Sequence, residues 1–218
     1  MTKARIRETD HGITGEFNVE MYDHFQRDFR NKGILATDRI IKSGIDRGIA
    51  LEIGPGPGYL GLEWLHKTDY TNLTGLEISK DMITMAERNC REYRLEKRAG
   101  YILGEAEHMP FKDSSFDAVF SNGSLHEWTD PVLVFNEIFR VLQTGGRFFV
   151  SDLRRDVRIL VKWFMYSFTK PKEIRPGFLT SLSAAYTIDE VPDLIEKGKF
   201  RNIKVSQNPF GLQVAGVK

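Results

Sequence analysis

Hydrophobic positions along this chain switch period repeatedly, from two to between three and four and back. Short apolar runs predict strands at 49–53, 72–77, 100–103, 116–121 and 146–151, the first carried by Ile49, Leu51 and Ile53. Helical spacing between them predicts helices near 59–67, 80–93 and 130–142. Asp130-Pro131 marks the start of the last, with Asp as cap and Pro at the first helical position. Gly145-Gly146 reads as its end. Upstream, Phe17, Met21 and Phe25, then Leu35 and Ile40, carry helical spacing over 17–43, broken near Asn31-Lys-Gly33. Downstream, 200–205 and 210–217, joined across Ser-Gln-Asn-Pro, read as a hairpin. Strands alternating with helices imply an α/β fold, doubly wound, with a mostly parallel sheet covered on both faces. The hairpin brings the strands to seven.

The segment 153–186 departs from this alternation. Over 153–180 it carries seven Arg and Lys against two acids, Asp156 and Glu173, with Trp163, Phe164, Tyr166, Phe168 and Phe178 interleaved. It follows the fifth strand, so it must lie near the carboxyl ends of the strands, where open parallel sheets bind ligands. It is expected to form a cap, with Trp163 toward a substrate. A dimer-forming helix pair or a nucleic-acid surface would use the same residues.

Length and composition narrow the classes. The 218 residues fit one domain over 1–218, comprising an N-terminal helical segment (1–43), the alternating body and the cap insert. Residues 1–16 are polar and contain Gly12 and Gly15, so poor order is expected there. A net charge of +1 gives no global attraction to nucleic acid. The single cysteine, Cys90, excludes an intrachain disulfide, and its helical spacing with Met82, Ile83 and Ala86 favours a core role over a reactive thiol. No apolar run nears the ~20 residues that span a bilayer, and the first residues lack a signal-peptide pattern. A cytoplasmic protein, monomer or homodimer, without a membrane span is expected. His11, His66 and His108 form no ligand pattern, so no metal is expected.

Chemistry concentrates at 50–61, Ala-Leu-Glu-Ile-Gly-Pro-Gly-Pro-Gly-Tyr-Leu-Gly. Glycines at 54, 56 and 58 between strand and helix let backbone approach a ligand closely, and the following helix N-terminus favours negative charge. The dinucleotide pattern G-x-G-x-x-G would need glycine where Tyr59 stands. Glu77 ends the second strand, 23 residues after Gly54, where a carboxylate can accept from both ribose hydroxyls.

In these and three further segments the chain resembles the class I S-adenosylmethionine-dependent methyltransferases. Glu52–Gly58 is similar to their first motif and Glu77-Ile-Ser-Lys-Asp-Met82 to their ribose-and-adenine segment. Gly104-Glu-Ala is similar to the adenine-edge Gly-Asp-Ala, one carbon longer at Glu105. Ser115–Asn122 and Leu142–Asp152 resemble the fourth and fifth strands. Five motifs in family order, from about 45 to 152, carry the resemblance, and the small-molecule branch with quinone-biosynthesis enzymes is the nearest. It implies a Rossmann-like methyltransferase fold with the hairpin at the sheet edge, S-adenosylmethionine as cofactor and a small-molecule substrate.

The resemblance also distributes roles. Gly54, Gly56 and Gly58 would contact cofactor, Glu77 its ribose, Ile78 and Met82 the two faces of adenine, and Glu105 and Ala106 the adenine edge. Glu52 would order the loop and the methionine amino group, with Asn122 beside the cofactor. Asn122-Gly-Ser-Leu lacks the Pro-Pro-aromatic pattern of nucleobase N-methyltransferases. His126 is either a general base or a residue that shapes the pocket, and Tyr22 is a candidate to border the substrate. A nucleic-acid or protein methyltransferase using the basic insert, a non-catalytic binder and a nucleotide-dependent oxidoreductase are the competing readings.

Overall fold

A computed structural model describes residues 4–7, 12–201 and 203–218. Helices α1 (Glu16–Asn31) and α2 (Thr37–Lys42) precede the body. Then come β1 (Gly48–Ile53), α3 (Tyr59–His66), β2 (Thr71–Glu77), α4 (Lys80–Tyr93), β3 (Ala99–Leu103), β4 (Phe116–Asn122), α5 (Pro131–Val141) and β5 (Leu142–Leu153). The rest is α6 (Ile159–Phe168), a 3₁₀ turn (Lys172–Ile174), α7 (Arg175–Ala184), α8 (Glu190–Glu196), β6 (Ile203–Gln207) and β7 (Gly211–Val217).

The seven strands form one sheet in the order β3-β2-β1-β4-β5-β7-β6. β1 through β5 pair in parallel, and β7 is antiparallel to both β5 and β6. The chain winds outward from β1 through β2 to β3, then returns to β1's other side as β4. That reversal opens a crevice at the carboxyl ends of β1, β2 and β4, where such sheets take ligands.

Strand alternation builds the two core layers. Leu51, Val119, Phe148 and Val150 face α5 and α8, packing with Phe135, Ile138, Val191 and Phe200. Their chain neighbours Ala50, Phe120 and Phe149 face the other way, toward Ile40, Trp64 and Leu65 of α2 and α3. Ile49 stands outside this scheme: at the strand's amino end it is exposed.

The cap expected at Asp130 forms, and Ser79 supplies a second. Asp130 accepts from Leu133 N–H at 3.0 Å with Pro131 at the first position of α5, and Ser79 accepts from Met82 N–H at 3.3 Å to start α4. Gly145-Gly146, however, does not end α5. That helix stops at Val141 and passes directly into β5, where Phe116 pairs with Leu142 but Ala118 with Arg147. The glycines lie in this register shift, and Gly145, at φ 81°, donates to the carbonyl of Lys218 at 2.8 Å.

The expectation of poor order over 1–16 falls partly on 1–3 and 8–11, which lie outside the described residues, as does His11. Residues 4–7 are tied down: Arg5 donates to the carbonyls of Ala184 (2.5 Å) and His126 (2.8 Å) and stacks over Tyr186. Among the described residues no helix is long and apolar enough to cross a membrane, and no group of three His, Cys, Asp or Glu side chains could hold a metal ion.

Candidate functional site

The crevice is an open cleft lined from the carboxyl ends of β1, β2 and β4 and from the N-terminal segment. Its floor is the glycine turn after β1. Gly54, at φ 65°, has no room for a side chain: a Cβ there would lie 2.3 Å from Ser124 Oγ. Gly58, at φ 86°, caps α3 in the left-handed region, and its Cβ would meet Tyr101 Oη at 2.7 Å. The turn therefore keeps its backbone bare toward the cleft.

Glu77, the last residue of β2, holds the turn. Its Oε2 accepts from Gly56 N–H at 2.9 Å and its Oε1 from Ser79 N–H at 3.0 Å. Each oxygen keeps acceptor capacity toward the cleft it lines. Burial raises its pKa above the carboxylate range, opposed by the Ser79 and Gly56 amides.

Glu52 lies deeper and is 2% exposed. Burial first, then the nearby Glu77 charge, push its pKa to about 8, with the Gly61 amide partly opposing. Its Oε2 is wholly buried against Gly61 of α3, where a Cβ would lie 2.2 Å from it, while the residue as a whole lines the cleft.

Leu76, Ile78, Met82 and Ala106 form an apolar wall beside Glu77. Met82 is buried and Ile78 is half-exposed at the rim, so the pair offers two apolar faces to a planar group. Glu105 does not line the cleft; Glu107 does. Glu107 accepts from Thr129 N–H at 3.1 Å, which joins the loop after β3 to the loop after β4. Asn122 lines the opposite side, its Oδ1 accepting from Ser151 Oγ at 2.7 Å.

The N-terminal segment supplies the remaining wall. Gly12 and Ile13 border the cleft, and Ser79 Oγ donates to Ile13 O at 2.6 Å. Tyr22 and Gln26 of α1 border it too, with Gln26 Nε2 donating to Tyr22 Oη at 3.0 Å. Burial, then the Glu127 charge, raise the Tyr22 pKa, so the phenol stays neutral.

Two expected site residues stand elsewhere. The His126 ring is buried behind the wall, with Nδ1 at 2.9 and 3.0 Å from the carboxylate oxygens of Asp152. Its backbone N–H also donates to Asp152 at 2.7 Å, so the end of β5 captures the whole residue and turns it from the cleft. The neighbouring Glu127 lines the cleft instead, 3.8 Å from His126 Nε2. Trp163 on α6 is 64% exposed, its ring set edge-on to Tyr166, and no residue of 153–186 lines the cleft.

A family profile described as a methyltransferase domain matches residues 51–150, spanning β1 to β5. The chain belongs to the class I S-adenosylmethionine-dependent methyltransferases. Methyltransferase GfsG of Streptomyces halstedii is 31% identical over 150 residues, covering 67% of this chain. The chain spans half of GfsG's length. The ubiquinone/menaquinone biosynthesis C-methyltransferase UbiE of Geotalea daltonii is 25% identical over 207 residues, covering 86% of this chain and 85% of its own. The structure of a SAM-dependent methyltransferase from Aquifex aeolicus superposes with a TM-score of 0.70 at 16% identity, over 93% of this chain and 98% of that one, which shows the shared fold.

The methyltransferase cofactor, S-adenosylmethionine, suits the residues present. It has a ribose diol for the open acceptor positions of Glu77, a planar base for the Ile78–Met82 wall and an ammonium for the Glu52 carboxylate that lines the cleft. Saturating S-adenosylmethionine or S-adenosylhomocysteine is expected to raise the melting temperature. At a hundredfold excess over Kd the gain is about 2.7 kcal/mol, which for a chain of this size is roughly 5–10 °C. A shift with NAD and none with either of these would contradict the assignment; differential scanning fluorimetry decides it.

Sequence reasoning did not single out Gln26, Glu107, Glu127 or Asp152. Glu127 and His126 are adjacent, and nothing in Ser-Leu-His-Glu-Trp tells which side chain faces a cleft. Asp152, at the tip of the fifth strand beside the tip of the fourth, carried a positional signal of the same kind as Glu77.

Proposed function

We propose that this chain transfers the methyl group of S-adenosylmethionine to a small-molecule acceptor. The observation that carries the reading is the wall that Gly12, Ile13, Tyr22 and Gln26 add to the cleft, with Ile13 held to Ser79 just beyond Glu77. A cleft walled on that side suits a compact acceptor better than a polymer strand. The small-molecule enzymes among its relatives, UbiE included, support it. The near-neutral net charge and the absence of a spanning helix among the described residues accord with a cytoplasmic enzyme.

In this reading the three glycines and Glu77 hold the cofactor's methionine and ribose portions, Glu52 meets its ammonium, and Met82, Ile78 and Ala106 hold the base. Asn122, fixed by Ser151, borders the transferred group. When bound, S-adenosylmethionine supplies a methyl carbon already activated by its sulfonium. The protein's part is alignment, exclusion of water and removal of a proton from an O–H or acidic C–H acceptor. Glu127 on the wall is the group to receive that proton. His126, expected as the base, stands behind it as a positioning residue, locked by Asp152.

Glu127→Gln is expected to lower kcat roughly 30-fold, with cofactor affinity changed less than about twofold. His126→Gln is expected to lower kcat less. A larger kcat loss in His126→Gln than in Glu127→Gln would restore the histidine as base. The acceptor itself is found by incubating the enzyme with methyl-labelled cofactor and cell extract. Label in a small-molecule fraction fits the proposal; label confined to protein or RNA would overturn it.

A further inference from the structure

Helix α6 is built inside out. Ile159, Leu160, Trp163, Phe164 and Phe168, recurring at steps of one, three and four residues, occupy one face and are between 49% and 78% exposed. Val161, Lys162, Met165 and Tyr166 occupy the other face and are half-buried against the protein. No residue of this ten-residue helix is fully buried. A helix packed on a globular core turns its apolar stripe inward; here the stripe faces out. The turn between β6 and β7 extends it, with exposed Phe210 at 6.0 Å from Phe164, ring to ring.

The rim of this face is basic. Arg158, Lys170 and Lys172 flank it, all exposed, and 157–172 contains no acid. The nearby Arg154 and Arg155 are engaged by Asp156 and Glu190. No ion pair of Arg158, Lys170 or Lys172 occurs among the described residues. A two-fold pairing with a second copy would set these bases against themselves. A surface with an apolar interior and an anionic skin complements both features.

We propose that α6 and the β6–β7 turn dock this enzyme on an anionic lipid bilayer, with Trp163, Leu160 and Phe164 entering the headgroup boundary and Arg158, Lys170 and Lys172 meeting lipid phosphates. The 3₁₀ turn after α6 packs against α1, whose Tyr22 and Gln26 line the cleft. The docking itself does not depend on which acceptor is used.

The chain has three tryptophans; Trp64 and Trp128 are buried, so Trp163 is the exposed reporter. The full chain is mixed with vesicles of equal parts phosphatidylcholine and phosphatidylglycerol, and separately with phosphatidylcholine alone. Co-sedimentation with the anionic vesicles, a blue shift of Trp163 emission and weakening by salt are expected. Leu160→Ser/Trp163→Ser/Phe164→Ser and Lys170→Glu/Lys172→Glu should each weaken sedimentation at least about tenfold while keeping the wild-type melting temperature and its rise with S-adenosylmethionine. Failure to sediment, or sedimentation undiminished in the triple variant, overturns the proposal. So does a blue shift that appears on concentrating the protein alone, which assigns the face to a second copy, or on adding RNA, which assigns it to nucleic acid.

Discussion

Glu77→Ala is expected to weaken S-adenosylmethionine binding by roughly 100-fold. The carboxylate has two tasks that one substitution removes together. Toward the protein it accepts from Gly56 and Ser79 N–H, fixing the glycine turn to the start of α4. Toward the cleft it offers the acceptor sites for a ribose diol. Hydrogen bonds to a charged group contribute about 1.5–3 kcal/mol each, and about 2.8 kcal/mol is a factor of 100. Glu77→Gln keeps the shape and one acceptor oxygen, so it should lose less, about tenfold. Titration calorimetry of both variants with S-adenosylhomocysteine, with melting curves to show the fold is retained, measures the difference. An affinity within threefold of wild type in Glu77→Ala would mean that the ribose lies elsewhere. Ile78→Ala, at the half-exposed rim, should cost much less than either.

What the sequence disclosed follows from where local chemistry decides structure. The turn at 54–58 was legible because positive φ and a missing Cβ leave little choice but glycine, and Glu77 was legible because a strand tip at the crevice has one way to face. The helix start at Asp130 was legible from its own cap and the proline after it. The misreadings share a different cause, which is dependence on partners far away in the chain. Gly145-Gly146 looks like a helix end until the carboxyl-terminal Lys218 arrives to pair with it. His126 looks like a base until Asp152, at the tip of β5, captures its ring and backbone. Trp163 sits in an apolar run whose composition suits a cap over the substrate, yet the half-buried face of α6 is the one with Lys162 and Tyr166. Composition gives the amount of apolar surface in that helix; only packing gives its direction.

Raising the pH from about 5 to about 8 is expected to destabilise the ligand-free protein, and Glu52→Gln is expected to remove most of that loss. The folded-state pKa of Glu52 is about 8 against an ordinary 4.5, because burial and the Glu77 charge disfavour its ionised form. Between those values the folded chain holds a proton that the unfolded chain has released. Stability therefore falls as pH rises through this window and levels off above it. The shift corresponds to on the order of 4 kcal/mol. Gln keeps the neutral shape, so its advantage should be absent near pH 4, grow through the window and reach roughly 8–16 °C in Tm by pH 8.5. Glu77, also shifted upward by burial, should leave a smaller slope of the same sign in the variant. Cofactor binding reverses the ranking. An ammonium placed at the Glu52 carboxylate favours its ionised form, so binding near pH 6.5 should release a proton and tighten as pH rises toward 7.5. Calorimetry in two buffers of different ionisation enthalpy reads that proton directly. Glu52→Gln should bind more weakly with no release from this site. A variant that loses stability at pH 8.5, or that still releases a full proton on binding, would show that Glu52 is ionised in the folded protein and that the linkage lies with another group.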